Sequence, residues 1–154
     1  MFEIFNLKDE PENLEKLASW HQDEWSYLNP GENLAGRITG MQSHLNNEFI
    51  PSTFIAKDKT LLGSAAIVSQ DMKTEPPLTP WLASVFVRPE NRKQGIGRKL
   101  VLHVMTQARN EGIDILYLYT PDQVSFYSKL GWSVLDERQY KGSDVTIMQV
   151  RLDV

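Results

Sequence analysis

Residues 82–98 constrain the fold more than any other stretch, because they join an apolar strand, a glycine turn and an amphipathic helix. Residues 85–87 are β-branched or aromatic, as in buried strands, and Pro89 cannot continue a sheet ladder. After a short polar loop, Gly95-Ile96-Gly97 opens a segment whose apolar side chains recur at helical spacing up to Ala108. The order predicts a strand-turn-helix unit in a mixed α/β protein.

The start of this helix is a candidate anion site. The first amides of a helix have no partner within it, the helix dipole is positive there, and glycine lets a ligand approach the backbone. Arg92, Lys93 and Arg98 add formal charge. The stretch lacks the G-x-x-x-x-G-K-[ST] of a nucleotide P-loop, and Leu100 stands where a dinucleotide fingerprint needs its third glycine. The pattern therefore predicts a diphosphate cradle of another kind.

Two motifs carry a resemblance to a known family. The sequence R-x-x-G-x-G from Arg92 to Gly97, directly after a strand that ends V-x-P, resembles the coenzyme A signature of the GNAT superfamily of acetyl-CoA-dependent N-acetyltransferases. Residues 126–132, Phe-Tyr-Ser-Lys-Leu-Gly-Trp, are similar to the Φ-Y-x-x-L-G-[FW] segment that closes the cofactor site in the same superfamily. With the helix and strand between them, the motifs cover residues 80–133.

The resemblance implies both a fold and a set of cofactor contacts. The implied fold is α/β (mixed α+β): a mostly antiparallel central sheet of six to seven strands with a splayed parallel pair, and about four helices. The implied cofactor is acetyl-CoA, with its pantetheine arm and thioester on one segment and its diphosphate on the backbone amides of the next. These two segments are Val85, Phe86 and Val87, and then Arg92, Lys93, Gln94, Gly95, Ile96, Gly97 and Arg98.

Composition limits the number of domains and the kinds of ligand and chemistry to consider. A chain of 154 residues with 41% hydrophobic and 23% charged residues suggests one domain over 1–154. The net charge of −4 argues against a nucleic-acid binder. The chain has no cysteine, which excludes disulfides and a cysteine acyl-enzyme, and its three histidines show no metal spacing, so we expect no metal. No stretch resembles a membrane span or a signal peptide, so a cytoplasmic location is expected by default.

The remaining elements follow from periodicity and turn residues. We predict the element order β-α-α-β-β-β-α-β-α-β-β, with a parallel pair formed by the strands that flank the long helix. The predicted helices and strands, with their caps and turns, are: strand 1–7; helix 11–28; a second helix capped by Asn29 with Pro30 at its first position; a hairpin of Ser52–Lys57 and Thr60–Gln70, with Gly63 as a candidate bulge; strand 115–119; a capping box at Thr120–Gln123; and a final hairpin turning at Lys141-Gly142.

Tyr127 is the candidate catalytic acid. Transfer of an acetyl group from a thioester releases a thiolate, which benefits from a proton. A phenol has a reference pKa near 10 and is protonated at neutral pH. The motif resemblance implies that Tyr127 lies beside the thioester sulphur; the alternative is a buried tyrosine that only packs.

The general base and the acceptor site are not specified by any motif. Residues 81–87 carry no carboxylate, although some family members place a glutamate on this strand. The candidates for the base are Glu24, Asp71, Glu75 and His21, and a water chain to one of them is an equal alternative. The side chains that could line an acceptor pocket, or else pack in the core, are Trp20, Glu24, Tyr27 and Trp81. Thr120 and Asp122 could contact the cofactor, although helix capping explains Thr120 fully.

These observations predict an N-acetyltransferase that moves an acetyl group from acetyl-CoA to a primary amine by direct attack in a ternary complex. The amine could belong to a polyamine-like molecule, an amino sugar, an amino acid or a protein N-terminus. Two alternatives remain: a non-catalytic acyl-CoA-binding regulatory module on the same fold, and a nucleotide-phosphate binder. The final hairpin is a candidate homodimer surface, although no residue in it indicates one.

Overall fold

The computed structural model describes residues 1–153 and contains one sheet of seven strands flanked by four α-helices. In chain order the elements are β1 (Glu3–Asn6), α1 (Leu14–Trp25), α2 (Leu34–Gln42), β2 (Ser52–Lys57), β3 (Leu61–Val68), β4 (Trp81–Val87), α3 (Ile96–Asn110), β5 (Ile115–Thr120), α4 (Val124–Ser128), β6 (Ser133–Tyr140) and β7 (Ser143–Arg151). The strand order across the sheet is β1-β2-β3-β4-β5-β7-β6. No helix within residues 1–153 is long and apolar enough to cross a membrane.

The parallel pair lies at the centre of the sheet and is splayed. β4 and β5 run parallel, and Trp81 and Tyr117 form their single register pair. Every other neighbouring pair is antiparallel. Beyond Trp81 the two strands separate, so the rest of β4 leaves one row of backbone groups without a strand partner. The predicted mixed sheet with a splayed parallel pair is confirmed.

Helix α3 fills the crossover between β4 and β5. Its buried side chains form one stripe that packs on the sheet, as the 3.6-residue period predicts; they are Ile96, Leu100, Val101, Val104 and Ala108. The helix ends in a Schellman motif, with Gly112 at a φ of +81°. The Ile113 amide donates to the Ala108 carbonyl at 3.1 Å, and the Gly112 amide donates to the Arg109 carbonyl at 3.0 Å. These bonds end the helix before β5 begins.

Strand β4 contains an irregularity where it faces β3. Ser64 pairs with Phe86 and Ala66 pairs with Ala83, so two residues of β4 lie opposite one residue of β3. Ser84, one of these two, has a φ of +53°. Gly63 lies against the same part of β4, where a Cβ atom would clash with the carbonyl oxygen of Phe86. The register between β2 and β3 also shifts beside Gly63, the position in β3 where the sequence predicted a bulge.

Two predictions in the N-terminal third are wrong in detail. The helix predicted over 11–28 is regular only over α1, and 3₁₀ turns occupy Pro11–Asn13 and Ser26–Leu28. The second helix is capped by Asn33, whose side chain accepts a hydrogen bond from the Gly36 amide at 2.8 Å. Asn29 instead begins a turn, because its carbonyl accepts from the Glu32 amide at 3.0 Å. Both asparagines suit a helix cap, and Pro30 after Asn29 favoured the wrong one.

The C-terminal half follows the predicted elements closely. In the turn between β6 and β7, Lys141 and Gly142 have φ values of +50° and +83°, the signature of a type I′ hairpin turn. The hydroxyl of Thr120 accepts from the Gln123 amide at 3.0 Å, as the capping prediction required. However, α4 begins at Val124 rather than at Pro121, and the residue before it is Gln123, so the prediction that Thr120 caps this helix is wrong.

Candidate functional site

A cleft of about 760 Å³ opens where β4 and β5 separate. Its lining comes from the second half of β4, the loop into α3, the first turn of α3, the end of β5 and helix α4. Residues after α1 and the turn between β6 and β7 close its opposite end. A volume of this size lies within the range of small-molecule and cofactor sites.

Most of the predicted cofactor residues line this one cleft. The lining includes residues 85–87, Arg92, Lys93 and residues 95–98, together with the candidate acid Tyr127. Gln94 lies outside the lining. Residues that are far apart in the sequence thus meet at one site, although their individual roles stay predictions.

The first turn of α3 presents backbone donors to the cleft. Lys99 makes the first hydrogen bond of the helix, to the Gly95 carbonyl at 3.1 Å, so the amides of residues 96–98 precede the helical ladder. Gly95 caps the helix with a φ of +83°. Lys93 also has a positive φ, +65°, which no sequence signal indicated. Successive turns of this kind gather amides into an anion-binding concavity.

Arg92 makes a hydrogen bond and an ion pair within the protein. Its Nε donates to the Val87 carbonyl at 2.8 Å, and its guanidinium pairs with the Glu24 carboxylate at 3.2 Å. The same group lies 5.5 Å from the centre of the Phe86 ring. Arg92 therefore ties the end of β4 to α1, and Glu24 offsets part of its positive charge.

Tyr127 lies in α4 and is only 8% exposed. Its ring packs edge to face against Phe126 and Trp132, at 5.0 and 6.1 Å between ring centres. The Leu130 and Trp132 amides both donate to its carbonyl. Burial raises the pKa of the phenol above its ordinary value, so the group stays protonated throughout the neutral range.

The four candidate bases have different environments. Glu75 is exposed and outside the cleft, and Glu24 is paired with Arg92. His21 is buried, and its Nε2 lies 2.9 Å from the Ser64 hydroxyl, which itself donates to the Ser84 carbonyl at 2.8 Å. Since that hydroxyl uses its proton on Ser84, His21 must donate through Nε2; burial lowers its pKa to about 3. Asp71 lines the cleft, and burial raises its pKa to about 7.

The cleft contains only part of the predicted acceptor-pocket set. Glu24 and Tyr27 line it, whereas Trp81 is fully buried and Trp20 packs on Phe86 at 5.7 Å. The additional aromatic residues, which no sequence signal singled out, are Trp25, Tyr119 and Tyr140. Among residues 1–153, no group of three or more histidine, aspartate or glutamate side chains could hold a metal ion.

The comparison with protein families agrees with the geometry of the site. Residues 14–132 match the acetyltransferase (GNAT) family, so the chain belongs to that family. Among curated protein sequences, no relative matches the chain.

Solved structures share the fold over nearly the whole chain. yncA from Salmonella typhimurium, solved with its cofactor acetyl-CoA, has a TM-score of 0.75 at 16% identity, covering 99% of this chain and 94% of its own. An aminoglycoside 6'-N-acetyltransferase complexed with coenzyme A has a TM-score of 0.74 at 18% identity, with coverage of 100% and 98%. The paia N-acetyltransferase of Thermoplasma acidophilum, complexed with coenzyme A, has a TM-score of 0.69 at 24% identity, with coverage of 98% and 99%.

Proposed function

We propose that the protein transfers an acetyl group from acetyl-CoA to a primary amine. The observation that carries the proposal is the cleft at the splayed β4–β5 pair, where helix-start amides and a buried phenol face the same space. Family membership supports acetyl transfer as the reaction class.

The donor side of the cleft suits a diphosphate. The amides of residues 96–98 point out of the start of α3, and the helix dipole favours an anion there. Lys93 and Arg98 line the same region with formal positive charge. A Cβ at Gly97 would lie 3.5 Å from Val87 and 3.6 Å from Phe126, so glycine keeps the space above the turn open.

The unpaired row of β4 suits the rest of the coenzyme. Pantetheine contains two amide groups, and an extended ligand with amides can add to a free strand as a further strand does. Residues 85–87 supply backbone groups beyond the last β5 pairing at Trp81. An amide near Val85 could also stabilise the negative charge that develops on the thioester oxygen.

Tyr127 supplies the proton for the leaving group in this proposal. The amine nitrogen attacks the thioester carbon, the carbon–sulphur bond breaks, and the sulphur takes the Tyr127 proton. The amine loses its own proton to a base, and the tyrosine is reprotonated from solvent. Direct attack needs no enzyme nucleophile, in keeping with a chain that has no cysteine.

Calorimetry with coenzyme A and thiol release from acetyl-CoA test the proposal. We expect saturable coenzyme A binding, and thiol release that depends on an amine from a panel of a diamine, an amino sugar, amino acids and a peptide with a free N-terminus. Gly97→Leu should weaken coenzyme A binding at least tenfold, because its side chain fills the space over the helix start. Thr106→Leu, exposed on the same helix, is the matched control and should leave binding unchanged.

Three results would contradict the proposal. Coenzyme A binding without turnover on any amine indicates the regulatory module instead. Stabilisation by ATP but not by coenzyme A indicates a nucleotide binder. If neither wild type nor Gly97→Leu binds coenzyme A or ATP, the start of α3 is not a diphosphate site.

A further inference from the structure

A second, smaller cleft adjoins the first cleft at Glu32, Arg37 and Asp71. It measures about 240 Å³ and lies between α1, α2 and the ends of β3 and β4. Both clefts share five lining residues: Glu32, Arg37, Asp71, Ala83 and Ser84. Asp71 therefore lies at the junction of the two clefts, together with Ser84 of the irregular β4 segment.

The Asp71 carboxylate has no partner of its own. Within residues 1–153 it makes no hydrogen bond and no ion pair, although most of it is removed from water. Lys141 exerts the one attraction that favours its ionised form. However, the Lys141 ammonium donates to the Asn29 side chain at 2.8 Å. Asp71 is half-buried, and a carboxylate that is partly removed from water without a partner is unfavourable, so a cationic ligand would relieve that state.

The charged and titratable groups around Asp71 come from several elements. They are His21 and Glu24 on α1, Tyr27 after it, Glu32 before α2, Arg37 on it and His44 after it, Tyr119 on β5, Tyr140 on β6, and Lys141 in the turn between β6 and β7. Arg37 forms an ion pair with Glu32 at 3.6 Å, although its Nη2 makes no hydrogen bond, and Arg92 pairs with Glu24. Asp71 is thus a carboxylate at the junction that no arginine or lysine pairs with.

The walls beside Asp71 are aromatic. Tyr119 and Tyr140 pack edge to face at 5.3 Å, and Tyr27 and Trp25 line the same cleft. Aromatic faces attract ammonium groups, and exclusion of water strengthens that attraction. An acceptor that enters here meets one carboxylate within a mostly aromatic surround.

We infer that Asp71 is the general base, and that the acceptor is a primary ammonium held between this carboxylate and the tyrosines. The inference rests on the proposed function and assigns the base that takes the proton of the amine. The ammonium gives a proton to the Asp71 carboxylate, the neutral nitrogen attacks the thioester carbon, and Asp71 then releases its proton to solvent. The other candidates are unsuited, because His21 donates to Ser64, Glu24 is paired and Glu75 lies outside the cleft.

The environment of Asp71 matches this role quantitatively. An alkylammonium has a pKa of about 10.4, so transfer to an ordinary aspartate is unfavourable by about six powers of ten. Burial raises the pKa of Asp71 to about 7, which makes the same transfer about a thousandfold less unfavourable. Desolvation of the ammonium in the aromatic surround lowers its pKa and narrows the gap further.

The pH dependence of Asp71→Asn tests the inference. We expect kcat to fall about 100-fold or more at pH 7.5, with coenzyme A affinity within twofold of wild type. Wild-type kcat/KM for the amine should fall below about pH 7, because Asp71 of the free enzyme takes up a proton there. In Asp71→Asn this acid limb should vanish, and kcat/KM should rise about tenfold per pH unit up to the pKa of the free amine. Glu75→Gln, an exposed change in the same loop, should behave as wild type.

A second readout does not depend on turnover. Carboxyl carbon NMR, with Asp71→Asn to assign the resonance, should show Asp71 titrating near pH 7, and a saturating primary amine such as 1,4-diaminobutane should lower that midpoint. A midpoint below 5, or kcat within threefold of wild type in Asp71→Asn with the limb retained, overturns the inference. Neither result touches the proposed function, which fails only if wild type neither binds coenzyme A nor releases thiol.

Discussion

Two glycines two residues apart in the helix start have different physical requirements. Gly95 has a φ of +83° and open space around its Cα, so a side chain there costs backbone strain rather than a clash. Gly97 has no positive φ, and an added Cβ would make ordinary contacts with Val87 and Phe126. The two positions therefore separate the stability of the turn from its ligand function.

We expect Gly95→Ala to lower the free energy of unfolding by about 1 kcal/mol, because alanine disfavours the left-handed conformation. Gly97→Ala should raise it by about 0.5 kcal/mol, because alanine is the better helix former. Urea unfolding measures both changes. Coenzyme A affinity should fall in Gly97→Ala despite its greater stability. Equal stability of the two variants would show that the backbone at Gly95 is not strained.

Tyr127→Phe tests the proposed acid while preserving the packing. Phenylalanine keeps the ring contacts with Phe126 and Trp132, so stability and coenzyme A affinity should change little. We expect kcat to fall by about 100-fold, the lower end of the range for a general acid. Steady-state kinetics with the best amine of the panel gives the comparison. A fall in coenzyme A affinity with kcat unchanged would assign Tyr127 to binding alone.

At the scale of elements, a buried hydrogen-bond chain joins α1 to the irregular part of β4. His21 donates to Ser64, and Ser64 donates to the carbonyl of Ser84, the residue with a φ of +53°. Ser64 is fully buried, so both neighbours depend on its hydroxyl. This hydrogen-bond chain holds the part of β4 that lines both clefts.

Ser64→Ala should lower the free energy of unfolding by about 2 kcal/mol, because it leaves a buried donor and a buried acceptor unpaired. Ser43→Ala is the matched control, since the Ser43 hydroxyl is exposed and bonds to the Gly40 carbonyl at 2.7 Å. That change should stay within about 0.5 kcal/mol. Urea unfolding of the two variants gives the difference, and equal losses would show that the chain contributes nothing specific.

The elements that sequence predicted well are those with strong local signals. The helix start at Gly95 and the hairpin turn at Lys141-Gly142 were predicted because glycine adopts a positive φ more readily than other residues. The cap of α2 was missed because Pro30, a favoured first helical residue, made Asn29 the stronger local candidate, whereas Asn33 caps the helix. Positive φ at Ser84 and Lys93 gave no signal, since neither residue favours that conformation.

At the scale of the whole molecule, the candidate site has a cofactor side that motifs predicted and an acceptor side that no motif indicated. The two motifs predicted the cofactor side, and those residues share one cleft with Tyr127. The acceptor side is assembled from residues 25–37, the end of β3, and the turn between β6 and β7. These segments meet only through the sheet order, so no spacing along the chain could single out Asp71 from the other three candidate bases.

Asp71 and His21 give the protein two opposite dependences of stability on pH. The raised pKa of Asp71, about 7 against an ordinary 3.8, means that between these values the folded protein holds a proton the unfolded chain has released. Its contribution to stability is therefore lost as pH rises through 7. The lowered pKa of His21, about 3 against 6.5, means that the unfolded chain binds a proton the folded protein does not. Its contribution is present above pH 6.5 and is lost as pH falls towards 3.

Between pH 4.5 and 6 these two slopes oppose each other in the wild type. Each corresponds to one proton, or about 1.4 kcal/mol of unfolding free energy per pH unit. Asp71→Asn should make stability fall more steeply with acid by about that amount, and His21→Gln should change the slope by a similar amount in the opposite direction. Urea unfolding at four pH values measures both differences, and the subtraction cancels His44, whose pKa burial also lowers. Parallel curves for wild type and Asp71→Asn would show that the carboxyl titrates in its ordinary range, which would leave the acceptor cleft without a base poised near neutral pH.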